Sequence, residues 1–310
     1  MSDTNVQLVL NSRDRTSGTY NSSLFNAKGQ NIIQGSIKQI TVSEVNFPYD
    51  IPNVQAGFNV FQILTNGTSP LVLLDITVTP GFYTGSELAD AINAAIVVQG
   101  GLESPTLTVA QMPTFEFDGT TNTFLFKAPT APLSANYDLW FLSSPYLFPN
   151  LTNPANNTLG KDLLTIMGFQ QAALPPEVDA TIPADSVFRS GAAPLVFTQY
   201  IDICSSQLCK NQYMSDGSTT NLARRSDVIC RLFVCDNVSL TTAEVDGTRP
   251  FIINRQYYNA RMMKWTVGAA VGTVDINLYD DVGQPLLTTW APRPFQITFN
   301  CHESPRSEGL

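Results

Sequence analysis

Leu8-Val9-Leu10-Asn11-Ser12-Arg13-Asp14-Arg15 runs from a short apolar segment straight into a dense charge cluster, and the polar run Thr16 to Ser23 follows. This order reads as an extended arm ending in a fork of guanidinium donors, not as the start of an enzyme core. Strand-type runs come next at Ile37 to Phe47, Phe58 to Leu64 and Leu71 to Val78, then Pro80-Gly81 and a helix opening at Ser86. Short apolar runs punctuated by proline and glycine belong to a β-sandwich or barrel.

The β pattern continues to the other end. Phe115-Glu116-Phe117 and Phe124-Leu125-Phe126 flank Asp118-Gly119-Thr120-Thr121-Asn122, which reads as a hairpin. Val274, Ile276 and Leu278 alternate with Asp275, Asn277 and Tyr279 ahead of a turn at Asp280 to Gly283, and Phe295, Ile297 and Phe299 alternate again. Tyr200 to Ile203 and Val228 to Val234 are further strands. The latter is apolar on both faces apart from Arg231, so both sides should be covered. In Ile37 to Phe47 the apolar phase slips between Ile40/Val42 and Val45/Phe47, which places a β-bulge near Ser43-Glu44. Pro48 and Pro52 should then end the strand.

Two helices interrupt the strands. Ser86 is the expected cap of the first, with Leu88, Ile92, Ala95 and Ile96 on its buried stripe. The second spans Leu159 to Met167, with Gly168 as its left-handed cap. Prolines crowd the middle, from Pro129 to Pro194, and long irregular segments are uncommon in a compact domain. The expected organisation is an arm over 1–33, a domain over 34–302 with an insertion at 138–195, and a flexible tail at 303–310.

Charged residues make up 14% of the chain, against a typical ~25%. A surface covered mainly by uncharged polar groups suits a protein packed against neighbours. Arginine outnumbers lysine 11 to 6, and arginine is the cation favoured at interfaces. The net charge of −9 and the lack of a basic stripe beyond Arg13/Arg15 and Arg224/Arg225 argue against direct nucleic-acid binding. The polar start Met1-Ser2-Asp3-Thr4-Asn5 is no signal peptide, and no apolar run is long enough to span a membrane. Synthesis in the cytosol is therefore expected, and the sequons at Asn21, Asn66, Asn150, Asn156 and Asn237 should go unused.

Catalytic and metal chemistry find little footing. The one histidine, His302, lies in a polar C-terminal stretch, so no histidine-based triad or two-histidine metal site can be assembled in a core. Cys204, Cys209, Cys230, Cys235 and Cys301 include two C-x4-C pairs, but zinc knuckles use tighter spacing, and buried free thiols are the reading adopted. Asp280/Asp281 sit where a turn is wanted. No glycine-rich phosphate loop has the required spacing. No cofactor, no metal and no enzymatic activity are expected.

Several ordered pieces together resemble the penton proteins of viruses with double jelly-roll major capsid proteins, above all those of virophages and polinton-like viruses. They are Arg13-Asp14-Arg15, Phe47-Pro48 with Asn53 and Asn59, and Pro80-Gly81-Phe82-Tyr83-Thr84 with Glu87-Leu88. The others are Leu163-Leu164 with Met167-Gly168-Phe169, Tyr200 to Ser205 with Leu208, Asp227-Val228-Ile229, and Ile276 to Asp280 with Gly283. From about Gln99 to Ala155 the match is poor. The resemblance implies an all-β single jelly roll, a two-sheet antiparallel sandwich with loop insertions and two short helices. It also implies five copies forming the capsomer at each icosahedral vertex of a virion, beside a major and a minor capsid protein. Arg13, Asp14 and Arg15 are then the candidate assembly contacts. Two other classes compete: a minor or cement capsid protein of the same lineage, and a carbohydrate- or receptor-binding jelly roll. The second would use Trp140, Tyr146, Tyr257 or Tyr258 as stacking aromatics, against core packing as the simpler role for those rings.

Overall fold

The computed structural model describes residues 5–26, 32–33, 37–66, 73–102, 107–129, 136–140, 163–169, 181–183, 185–209, 227–234, 250–258, 260–264, 271–286 and 293–303. Every strand pairing among them is antiparallel. The chain is all-β with two α-helices among the described residues, the antiparallel β architecture expected from the alternation and the jelly-roll class implied by the resemblance. Contacts divide it into two units. One comprises Met1–Ile51, Thr198–Val238 and Pro250–Leu310, the other Pro52–Phe197 and Ser239–Arg249.

The first unit is built on two sheets. β1 (Asn5–Asn11), β17 (Gln296–Glu303), β4 (Ile37–Tyr49) and β14 (Phe251–Gln256) lie side by side in that order, and β15 (Met262–Lys264) also pairs with β4. The second sheet runs β13 (Val228–Phe233), β12 (Tyr200–Cys204), β16 (Thr273–Tyr279), β3 (Ser22–Asn26), β2 (Ser17–Thr19). Tyr20 meets Phe295 edge-on at 5.4 Å between ring centroids and Phe47 at 6.3 Å. These rings, with Val274, Ile276, Leu278, Ile297 and Phe299, form a dry core.

The bulge falls where the phase slip put it. Glu44 faces Thr298 and Val42 faces Phe299, which leaves Ser43 unopposed and returns both apolar sets to one face. Pro48, expected to end β4, instead lies inside it opposite Ile252. The β17 ladder has already stopped at Asn46, so the missing N–H removes no rung from it.

Residues 5–26, read as an extended arm, are strands of both sheets. β1 pairs with β17 along its whole length and β3 with β16. Leu10, Tyr20 and Phe25 are buried. Leu8-Val9-Leu10 is too short to declare itself a strand, and its partner lies nearly the whole chain away. His302 belongs to β17 and pairs with Asn5 and Gln39. Among the described residues β13 is the last strand of its sheet, and one of its faces is covered at Ile229 but open towards its end. Arg231 is exposed there and Phe233 is 50% exposed. Arg231 forms a two-pronged ion pair with Asp202 at 2.6 and 2.9 Å and lies 3.8 Å over the Tyr200 ring.

The second unit contains a four-stranded sheet, β10 (Thr181–Pro183), β9 (Asn136–Trp140), β5 (Val60–Asn66), β6 (Leu73–Thr77), and a three-stranded one, β11 (Val187–Ala192), β8 (Thr123–Lys127), β7 (Thr114–Asp118). The expected insertion at 138–195 lies inside this unit, which begins far earlier. Helix α1 (Gly85–Leu102) starts one residue before the expected cap. Thr84 performs the capping: its hydroxyl accepts the Glu87 N–H, and Glu87 accepts the Thr84 N–H, at 3.2 and 2.8 Å. α2 (Leu163–Ile166) ends as expected. Gly168 has φ +84°, and the Phe169 N–H reaches back to the Leu164 carbonyl at 3.0 Å. The start foreseen at Leu159 lies outside the described residues.

Candidate interaction surface

Strand alternation decides which side chains leave the core. On β17, Ile297, Phe299 and Cys301 point inward, while Gln296, Asn300 and His302 are half exposed on the other face. Register then aligns Asn11, Gln296, Asn46 and Asn254 in one row across β1, β17, β4 and β14. The outer face of this sheet is therefore dominated by neutral amides, with Val9 51% and Ile252 66% exposed among them.

The Arg13-Asp14-Arg15 cluster sits at one end of that row, held by short-range bonds. Asn11 accepts the Arg13 N–H at 3.0 Å and so caps a 3-10 turn over Ser12–Asp14. Buried Ser12 is fastened to Phe295 twice: its N–H donates to the Phe295 carbonyl, and its hydroxyl accepts the Phe295 N–H, both at 2.9 Å. Arg13, Asp14 and Arg15 are all exposed. The Arg15 guanidinium turns back to the Ser12 carbonyl at 2.9 Å. Arg13 instead lines an open groove of about 590 Å³ with Asn11, Asn46, Ile252, Arg293 and Gln296.

Arg293 was not singled out by the sequence. It precedes β17, and only the pairing of that strand's start with the end of β1 brings it to the same groove as Arg13. Burial holds the Asp50 carboxyl above its usual range, while its own N–H, the Arg293 charge and the Arg293 N–H pull it the other way. No ion pair joins Arg13 or Arg293 to a carboxylate among the described residues.

Other candidates resolve into structural roles. The Asp280 carboxylate accepts the N–H groups of Val282 and Gln284 at 3.1 and 2.8 Å, as a turn requires, and Asp281 accepts that of the distant Gln199 at 2.9 Å. Cys204, Cys209, Cys230 and Cys301 are buried free thiols. Burial pushes Cys209 and Cys301 up to about 11 and Cys230 up to about 12. Cys235 lies outside the described residues. No cluster among the described residues has three or more side chains placed to hold a metal. Of the aromatics considered as stacking platforms, Tyr257 is half-buried and donates its hydroxyl to the Arg231 carbonyl at 2.8 Å. Tyr258 is 90% exposed. Tyr146 and the Trp140 side chain lie outside the described residues. No helix among them is long and apolar enough to cross a membrane.

No protein-family model matches the chain, and no curated protein sequence does. Among solved structures, the crystal structure of the selenomethionine-labelled mavirus penton protein matches at 13% identity and a TM-score of 0.55, over 97% of this chain and 100% of that one. The chain has the fold of a penton protein. A chain of the Sputnik virophage structure solved by cryo-EM is similar at 14% identity, a TM-score of 0.48 and 98% coverage of both chains. Asn53 and Asn59 are buried amides that bind backbone at 2.6 to 3.1 Å.

Proposed function

We propose that this protein is a structural capsid protein, without enzymatic activity, whose five copies form the capsomer at icosahedral vertices. The observation that carries this reading is the end-to-end likeness of fold to the mavirus penton protein, with neither chain left substantially uncovered. The charge-poor composition and the amide-rich outer face of the β1-β17-β4-β14 sheet support it, since uncharged amides are less costly to desolvate than ions and can hydrogen-bond across a contact. Five identical subunits close a ring through heterologous contacts, in which one patch meets a different patch on the next copy. Arg13, Asp14 and Arg15 lie on the candidate contact surface, and a major and a minor capsid protein are the expected neighbours in the virion.

Native mass spectrometry and sedimentation of the purified chain test this. A species of five subunits is expected, growing with concentration. A monomer or trimer at every concentration and salt would refute the vertex role. A trimer would then favour a cement protein. A monomer that binds glycans through Tyr257 or Tyr258 would favour the receptor-binding alternative.

A further inference from the structure

We infer that the groove between Arg13 and Arg293 is a carboxylate-binding site, and that its occupant is an acidic side chain of the adjacent copy of this chain. The inference rests on the pentamer reading and names the chemistry of one of its contacts. Both arginines are exposed and form no ion pair among the described residues, although the Arg293 charge acts on the half-buried Asp50. Asn11 and Gln296 line the same groove as amide donors, and Asn46, which also lines it, gives one amide hydrogen to Glu44 at 3.1 Å. A guanidinium presents a planar fork that binds a carboxylate through two parallel N–H bonds, and flanking amides can donate to its remaining lone pairs. The chain itself supplies the complementary charge: it carries 26 acidic against 17 basic residues and a net charge of −9. Asp14, Asp90 and Asp185 are exposed and take part in no ion pair among the described residues. A heterologous ring requires a patch of this kind to meet a different patch of the same chain. Ile252, 66% exposed at the groove wall, gives the contact an apolar margin that excludes water once covered. Arg15 is not part of the site, because it does not line the groove and its guanidinium turns back to the Ser12 carbonyl.

The test compares wild type with Arg13→Glu/Arg293→Glu, with Arg13→Gln/Arg293→Gln and with Arg15→Gln, following assembly by native mass spectrometry and sedimentation. In ~0.1 M salt the two groove variants should need roughly tenfold or more protein for half-assembly, the glutamates more than the glutamines. Arg15→Gln should assemble as wild type does. Raising salt to ~1 M shortens the screening length from about 10 to about 3 Å, so it should weaken the wild-type ring and leave the glutamine variant nearly unmoved. The substituted groups are exposed, so every variant should unfold cooperatively near the wild-type temperature and thereby show that it is folded, the glutamate variant slightly lower because it puts a like charge beside Asp50. Restoration of the glutamate variant by charge reversal at Asp14, Asp90 or Asp185 would identify the occupant. Wild-type-like pentamers from both folded groove variants overturn the inference and leave the vertex reading standing. A wild-type chain that never forms pentamers overturns both.

Discussion

Replacing Asn53 by alanine should destabilise the second unit more than any surface substitution in it. The Asn53 side chain is fully buried. Its amide nitrogen donates to the Tyr83 carbonyl at 2.7 Å and the Leu195 carbonyl at 3.1 Å, while its oxygen accepts the Tyr83 N–H at 3.0 Å. Leu195 is held at φ +50°, a conformation unfavourable for a residue with a side chain, and the Asn53 bond to its carbonyl helps keep it there. Alanine would strand one fully buried carbonyl, at about 1–3 kcal/mol, and remove two part-buried bonds worth about 0.5–1.5 kcal/mol each. The expected loss is about 3 kcal/mol, which lowers the melting temperature of a unit of this size by roughly 6–12 °C. Asn53→Asp keeps the acceptor but points a carboxylate at two carbonyls, so it should fare no better. Differential scanning calorimetry of both variants decides the matter. A shift below about 2 °C for alanine would show that the Tyr83 and Leu195 segments are held by their other contacts and that the asparagine staple is incidental.

Gly168→Ala should cost about 1–3 kcal/mol, because φ is +84° and the added Cβ would stand 2.6 Å from the Gly191 carbonyl oxygen; an unchanged melting curve would refute this. The Asp275 carboxyl is pushed up by burial but held below the usual range overall by the N–H groups of Gln207 and Ser206 and the hydroxyls of Ser206 and Ser205. A lowered folded-state pKa stabilises above the unfolded value of about 3.9 and loses its effect as pH falls through the folded value. The stability gap between wild type and Asp275→Asn should therefore be full near neutrality and shrink below about pH 4 in urea titrations; a pH-independent gap would contradict the assignment. Deleting residues 1–26 should abolish cooperative unfolding of the first unit, since it removes β1, β2 and β3 and uncovers β17 and β16. A truncated chain with the same melting profile would mean that these strands are dispensable.

Much of the fold is legible along the chain because strand alternation and its interruptions are local. The turn at Asp280 to Gly283, the hairpin around Gly119 and the left-handed Gly168 follow from neighbours a few residues apart. So does the bulge at Ser43, where the slip of apolar phase records a bend. Composition likewise marks the protein as one with a charge-poor surface. Long-range pairing was not legible. Nothing in Leu8-Val9-Leu10 announces that β17 will lie beside it, and so a sandwich strand looked like a free arm. The same pairing makes the groove. Arg13 belongs to a visible charge cluster, but Arg293 joins it only because Ser12 is bonded to Phe295 and because Asn11, Gln296 and Asn46 fall in register. Which apolar strand keeps an open face was also decided in three dimensions. β13 has the composition of a covered strand, yet it is open where Arg231 and Phe233 emerge. Local sequence sets backbone propensity and the in-or-out phase of each strand, but neighbours are chosen by the burial that the whole chain can achieve at once.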